Sequence, residues 1–484
     1  MNNTLLQAFE WYLDADGRHW KRLISQAPEF KKLGITCVWL PPAFKCASGM
    51  NDVGYGAYDL YDLGEFRQKG TISTKYGTRQ EYLRCVRTLQ QKNMQVLADV
   101  VFNHRMGADE TETISAVDVN PANRDQDTGT LHQVKVWTKF TFPGRKGKYS
   151  SFIWDWTCFN GTDYDALSQN RSILLFEGKH WDPNVSKEEG NFDFVMGDDV
   201  DFSSHKVCQE LYDWGKWYVN TTHINGFRLD SVKSIDSSFF NGWLQVMHLT
   251  GNHPDFAVGE YWSGDLWVLK GYLEACGHCM HLFDVPLHYH LQQASLSNGT
   301  YDIRQIFKDT LTESEPHLSV AFVDNHDTQP GQALASWVLD WFKVQAYATI
   351  LLNKCEYPAV FYGDLYGIPH DHIPPVPFLR EMIWIRSHCF TPNIVDLYDE
   401  DSQKACWMAW GNSPVIVLYT IADRKEKTFC EPLLADKKLI NVTNPEDQPR
   451  FDANGTITIS CPGGGCSIYL TEKEYAWMHK ALSR

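Results

Sequence analysis

Ile224-Asn225-Gly226-Phe227-Arg228-Leu229-Asp230-Ser231-Val232-Lys233-Ser234 is the stretch whose reading decides the fold. Its first half alternates small or apolar residues with an arginine, the pattern of a short buried strand, and it stops on a carboxylate. Arg228 and Asp230 are two apart and so share one face of that strand. Alone they read equally well as a structural ion pair, or Asp230 as the cap of a helix begun at Ser231. Three other apolar runs end the same way: Leu97 to His104, Phe256 to Trp262 and Val320 to Asp327. Polar groups gathered at the C-terminal ends of several strands are how a (β/α)₈ barrel assembles an active site.

Working outward, the order of elements fits that barrel. Leu5 to Tyr12 reads as a strand, Trp20 to Leu33 as an amphipathic helix and Ile35 to Leu40 as a second strand. Thr78 is placed to cap a helix with a stripe of Tyr82, Leu83, Val86 and Leu89, which leads into the strand ending at Asn103. From 105 to 204 the rhythm breaks into short alternating segments rich in Gly, Asp, Asn and Trp, far too long for a barrel loop. It resumes at His205. Helices over 237–249 and 265–275 and strands over 281–285, 320–323 and 359–362 complete the count. After about Cys389 come antiparallel-type strands, then a helix over 471–482 with Thr471 and Glu474 spaced as a capping box. The expected fold is therefore α/β: a (β/α)₈ TIM barrel over 1–104 and 205–390, a β-rich insertion after strand 3 over 105–204, and a C-terminal antiparallel, β-sandwich-like domain over 391–484.

Composition narrows the partners. A formal charge of -16 argues against a nucleic-acid or membrane surface. An aromatic content of 14%, with 18 Trp, exceeds what a core needs, and such surplus often stacks on sugar rings. The 13 cysteines are odd in number, and Cys276-Gly277-His278-Cys279 lacks the second pair a zinc site needs, so reduced thiols in a cytosol fit best. The chain opens with no basic and apolar leader, which points to a cytoplasmic protein unless a signal peptide has been removed. A monomer is expected.

Asp230, Glu260 and Asp327 end three different strands and can converge on one pocket. Two such carboxyls suffice for glycoside hydrolysis, one attacking the anomeric carbon and the other protonating the leaving oxygen and then activating water. Crowded carboxylates raise one another's pKa, which keeps an acid protonated near neutrality, while Arg228 holds Asp230 ionised. His104 and His326 are candidate hydrogen-bond donors to sugar hydroxyls.

The four runs Asp99 to His104, Gly226 to Lys233, Gly259 to Trp262 and Phe322 to Asp327 resemble, in order and spacing, the signature regions of the α-amylase family, glycoside hydrolase family 13. Further segments, such as Phe9-Glu10-Trp11-Tyr12 and Phe142-Pro143-Gly144-Arg145, are similar to bacterial liquefying amylases and their intracellular fungal relatives. The resemblance implies Asp230 as nucleophile, Glu260 as general acid/base and Asp327 as the third carboxylate. It implies Tyr55, His104, Arg228 and His326 around the cleaved sugar, and Lys233 and Trp262 on the leaving-group side. It implies a structural Ca²⁺ held by Asn103, Asp193, Asp199 and the backbone carbonyl of Ser234, oxygen donors of the kind Ca²⁺ takes. Two departures stand out. Ser234 replaces a histidine, which spares a carbonyl ligand but removes an imidazole contact to sugars. At a second metal site Asp182 is kept but Asn160 and Ser203 replace aspartates, so a second ion is expected to bind weakly or not at all. The function implied is retaining endo-hydrolysis of α-1,4-glucans of the starch or glycogen type. The alternatives are a 4-α-glucanotransferase on maltooligosaccharides and a glucan-binding protein without activity.

Overall fold

Eight short parallel strands close into a barrel: β1 (Leu5–Gln7), β2 (Cys37–Trp39), β3 (Gln95–Val100), β4 (Gly226–Leu229), β5 (Phe256–Gly259), β6 (His281–Phe283), β7 (Ser319–Phe322) and β8 (Tyr357–Phe361). The computed structural model describes residues 2–251, 253–411 and 413–483. Each strand pairs in parallel with its sequence neighbours, and β1 closes the ring against β8. Helices return the chain between strands. The helix His19–Leu33 buries Trp20, Leu23, Ala27, Phe30 and Leu33 and ends at Gly34, whose φ of 96° lies in the left-handed region that suits glycine at a C-cap. The helix Arg79–Gln91 opens on a full capping box, with Glu81 accepting from the Thr78 amide and Thr78 accepting from that of Glu81.

Inside the ring, Leu5, Trp39, Leu97, Val258, Phe283 and Phe322 form a plug. Each such side chain contributes about 1.5–3 kcal/mol by leaving water. Close strand pairing also fixes Gly226, where an added Cβ would lie 2.1 Å from the Phe256 carbonyl oxygen.

Between β3 and β4 the chain forms a second sheet, of six strands, in the order 104–105, 198–200, 159–162, 174–176, 110–118 and 132–139. Its first strand begins four residues after β3 ends, and Asp199 pairs with His104 there. This pairing ties the insertion to the barrel mouth. At the C-terminal end a five-stranded antiparallel sheet packs with a two-stranded ribbon over a core that includes Leu418, Phe451, Ile457 and Tyr469.

Local expectations differ from the structure at several places. β1 stops at Gln7, five residues before the expected Tyr12, because Ala8 to Tyr12 bend over the barrel mouth. β6 stops at Phe283 because the Asp284 carboxylate accepts from the Leu287 amide and starts a helix. The capping box at Thr471 does not form: Thr471 donates its hydroxyl to the Glu474 carboxylate and accepts nothing from the helix N-terminus. Among the described residues, no helix is long and apolar enough to cross a membrane.

Candidate active site

Strand register builds the site. Arg228 on β4 lies directly opposite Asp99 on β3, and Leu229 lies opposite Gly259 on β5. Asp230 and Glu260 are the next residues on two hydrogen-bonded strands, and the Glu260 amide donates to the Leu229 carbonyl at 2.9 Å. Neighbouring strands lie about 4.8 Å apart, so the backbones of these two residues stand side by side and their carboxyl groups enter the same space.

One guanidinium serves three carboxylates. Arg228 Nη1 donates to Asp99 Oδ1 at 2.9 Å and Asp230 Oδ1 at 2.7 Å, and Nη2 donates to Glu260 Oε2 at 3.3 Å. Its side chain is 1% exposed, while those of Asp230 and Glu260 are 13% and 11% exposed. The carboxyls are therefore reachable from the cleft and the arginine is not. Glu260 also accepts from the Ser231 amide at 2.9 Å, presented by a residue in the left-handed region with φ 43°. Burial first, and then the charge of Asp230, push Glu260 up to about 7 against the opposing pull of Arg228. Asp327 faces the same space from the loop after β7, and burial and the Glu260 charge raise its pKa as well.

Asp99 was not singled out by sequence reasoning as a site residue, yet it is the hub beneath the cleft. Fully buried, it accepts from Trp39 Nε1 and the Tyr55 hydroxyl at 2.9 Å each, in addition to Arg228. A charged residue inside the apolar run Val96-Leu97-Ala98-Asp99-Val100 was the available signal. Tyr55, tethered through that bond, lies nearly parallel to Trp11 (6.1 Å, 4°) and to His326 (5.0 Å, 12°), which are themselves 6.1 Å apart, so the three rings form one aromatic cluster at the cleft.

The two histidines differ. His326 is held neutral by burial and by Arg228. Its Nδ1 faces Gln7 Nε2 at 3.0 Å, so Nδ1 accepts and Nε2 carries the proton. That N–H is buried without a hydrogen-bond partner among the described residues and lies 3.2 Å from Asp327 Oδ2 without the alignment of a bond. It is a buried, uncommitted donor beside Asp327. His104 instead donates its Nε2–H to the Tyr55 carbonyl at 2.8 Å, so it braces Tyr55.

Lys233 bonds Glu188 at 2.6 Å and the Trp262 carbonyl at 3.4 Å, and Trp262 donates its indole N–H to the Tyr289 hydroxyl. These residues line one flank of the mouth together. Ser234 does not reach the cleft through its side chain, which is fully buried and bonded by the Ser231 hydroxyl at 3.2 Å.

The residues expected to hold a cation come together where the inserted sheet meets the barrel. Asn103 Nδ2 sits among the Asp193 carbonyl (2.9 Å), the Ser234 carbonyl (3.1 Å) and Asp199 Oδ1 (3.5 Å). Its Oδ1 faces His104 Nδ1 at 3.4 Å, and with Nε2–H given to Tyr55 that nitrogen is itself an acceptor. Rotating the amide gives His104 a donor and adds Asn103 Oδ1 to the oxygen cluster, an arrangement that calls for a cation at its centre. Asp193 Oδ1 is buried with no partner among the described residues; burial and the charge of Asp182 raise the pKa of Asp193, and burial and the charge of Asp193 raise that of Asp199. The donor set fits a hard divalent ion. Asp182 does not extend it: its carboxylate accepts from the Asn184 amide, Asn160 bridges Asp193 and Asp199 with its amide, and Lys179 neutralises Asp201. These side chains do not fit a second ion.

Paired carboxyls of this kind on a barrel mouth, one of them held protonated near neutrality, define a glycoside hydrolase. The alpha-amylase catalytic-domain model matches residues 14–410, and the chain belongs to the α-amylase family. It is 52% identical over 481 residues to the alpha-amylase of Geobacillus stearothermophilus, covering 98% of this chain and 87% of that protein. It is 38% identical over 492 residues to the cytoplasmic alpha-amylase of Escherichia coli (strain K12), covering 98% and 99%. The crystal structure of a Geobacillus thermoleovorans alpha-amylase complexed with acarbose aligns with a TM-score of 0.64 at 18% identity, over 97% of this chain and 98% of that one, a likeness of fold.

Proposed function

We propose that this chain hydrolyses internal α-1,4 bonds of starch- or glycogen-type glucans with retention of configuration. The observation that carries this is the placement of Asp230 and Glu260 on adjacent strands, both bonded by the one guanidinium of Arg228, the close pairing expected of a nucleophile and an acid/base. Asp230, held by Arg228, attacks the anomeric carbon while Glu260 gives its proton to the departing glycosidic oxygen. Water then enters, Glu260 takes its proton, and the hydroxide equivalent displaces Asp230. Asp327 and the free N–H of His326 hold ring hydroxyls of the sugar being cleaved, and Tyr55 supports its apolar face. Lys233 and Trp262 lie on the leaving-group side.

Asn103, Asp193, Asp199 and the Ser234 carbonyl are the residues that would hold Ca²⁺. Bound there, the ion neutralises two buried carboxylates and ties the inserted sheet to β3 and to the segment after β4, without contact to the reacting bond. A monomeric, cytoplasmic enzyme is our reading, supported by 13 free thiols and by the cytoplasmic relative.

Maltoheptaose tests the assignment. NMR of the first products should record the α-anomer, and chromatography should give only shorter sugars. Initial release of the β-anomer overturns retention, products longer than the substrate restore the glucanotransferase reading, and unchanged substrate restores the binding-protein one.

A further inference from the structure

Cys276-Gly277-His278-Cys279 takes no part in the site described above, yet the backbone gives it a definite shape. It closes the helix Leu266–Ala275, which follows β5. The Gly277 amide donates to the Glu274 carbonyl at 3.0 Å and the His278 amide to the Leu273 carbonyl at 2.8 Å, the paired bonds of a Schellman cap, with Gly277 left-handed at φ 67°. His278 is left-handed too, at φ 54°, a conformation that a residue with a Cβ adopts at a cost. Two such residues in succession turn the chain back, and Cys279 returns against Cys276. The Cys279 thiol donates to Cys276 Sγ, and the amides of His278 and Cys279 point at the same sulfur. Residues three apart across a turn have Cα atoms within about 7 Å, a separation that a disulfide spans.

The two thiols are unequal. Cys276 is fully buried, whereas Cys279 is half-buried beside the exposed Gly277 and His278. Donors gathered on Cys276 Sγ pull its pKa down, and the same bond pushes that of Cys279 up. Cys279 is therefore the one a solute can meet, and Cys276 is a nucleophile placed to act on Cys279. The pair also leans on the acid/base from both sides. Met280 follows Cys279 and packs so closely on Gly259, the residue before Glu260, that an added Cβ there would lie 2.6 Å from Met280 Sδ. The Tyr272 hydroxyl is buried beside both sulfurs with no hydrogen-bond partner among the described residues, and its ring lies 5.1 Å from that of Tyr261, the residue after Glu260. Cys276 is anchored, its amide on the Tyr272 carbonyl at 2.9 Å and its carbonyl on Asn241 Nδ2 at 3.1 Å. A covalent bond between the sulfurs has to move Cys279 and, with it, Met280.

We propose that Cys276 and Cys279 are a redox pair, closed to a disulfide by a low-molecular-weight disulfide, and that closure slows catalysis through Met280 and Gly259. The Cys279 thiolate attacks one sulfur of the small disulfide and expels the other as a thiolate, leaving a mixed disulfide. Cys276 then attacks the Cys279 sulfur and expels the second thiolate. The two cysteines lose two electrons, the small disulfide gains them, and both protons end on the released thiols. Native protein incubated with oxidised glutathione, alkylated and mapped by mass spectrometry should show Cys276 linked to Cys279, with no lasting adduct on either. Cys276→Ser should trap glutathione on Cys279, and Cys279→Ser should leave Cys276 unmodified; the wild-type map carries the test if a variant fails to fold. The activity readout rests on the hydrolase reading above. On a 4-nitrophenyl maltooligosaccharide, closure should lower kcat about threefold to tenfold with KM little changed, as for a slightly displaced acid/base, and a thiol reductant should restore it. Cys279→Ser should keep its kcat in oxidised glutathione. Thiols that stay reduced in the native protein, or a lasting adduct in the wild type, overturn the redox pair. A closed pair with unchanged kcat, or an equal loss in Cys279→Ser, overturns the link to Glu260. A wild type that cleaves nothing overturns the hydrolase reading instead, and the map still decides the pair.

Discussion

Replacing Arg228 by methionine removes one charge from beneath three carboxylates while keeping an unbranched side chain in its channel. The guanidinium is 1% exposed and reaches Asp99, Asp230 and Glu260 at 2.9, 2.7 and 3.3 Å. Leaving buried charges unpaired costs about 3–5 kcal/mol. A second route gives a similar figure. If the variant instead takes up one proton, an aspartate of ordinary pKa near 3.9 must be kept neutral at pH 7, at about 1.4 kcal/mol for each of roughly three pH units, or about 4 kcal/mol. The sign follows from linkage. A carboxyl whose folded pKa is raised destabilises the fold fully above that folded pKa and not at all below its unfolded pKa. The deficit should therefore shrink to about 1.5 kcal/mol at pH 5. Tm measured for wild type and Arg228→Met between pH 5 and 8 should diverge as pH rises, and adding Asp99→Asn should return part of the loss by deleting one of the stranded charges. Activity should fall by about a thousandfold or more, because Asp230 and Glu260 both lose the guanidinium that holds their carboxyls in place. A Tm difference that is small, or equal at pH 5 and pH 8, would refute the view that this one side chain carries the counter-charge of the site.

Asp230→Asn and Glu260→Gln should each lower kcat by several orders of magnitude while glucan binding persists in gel-retardation assays, since the lost interactions are made mainly in the transition state; a variant keeping a tenth of the activity loses its assignment. With Glu260 pushed up to about 7, kcat/KM should decline on the alkaline side as pH rises through about 7, and a profile flat to pH 9 would count against Glu260 as the proton donor. Chelation should lower Tm, because an ion at a hundred times its Kd stabilises the fold by about 2.7 kcal/mol, and Asp199→Ala should lower Tm in added Ca²⁺ and abolish the chelator effect. An unchanged wild-type Tm in chelator would remove the bridging ion.

The barrel was legible because four apolar runs lead into clusters of polar residues, and it is their recurrence, more than any one run, that leaves few other readings. The carboxyls after β4 and β5 were legible for the same reason. Asp99 was harder to see: its importance comes from standing opposite Arg228 in the pairing of β3 with β4, and register between strands more than a hundred residues apart is not written in either strand. Gln7 was invisible likewise, since its task of fixing the His326 tautomer arises only when β1 meets the loop after β7. The division of labour between His104 and His326 depends on which nitrogen each has already spent, a matter of partners and not of residue type. The unmade capping box at Thr471 has the same lesson in miniature: the spacing was present, but the hydroxyl found the carboxylate before the backbone did.

Asn103 and His104 are consecutive, and their side chains meet at 3.4 Å while each reaches a different partner, one the oxygen cluster and the other the carbonyl of Tyr55. The peptide between them therefore transmits order in the inserted sheet directly to the aromatic floor of the cleft, with no slack segment to absorb a change. Heat inactivation and loosening of that sheet should be a single event on one time course, so that residual activity after warming serves as a gauge of how much of the insertion is still docked.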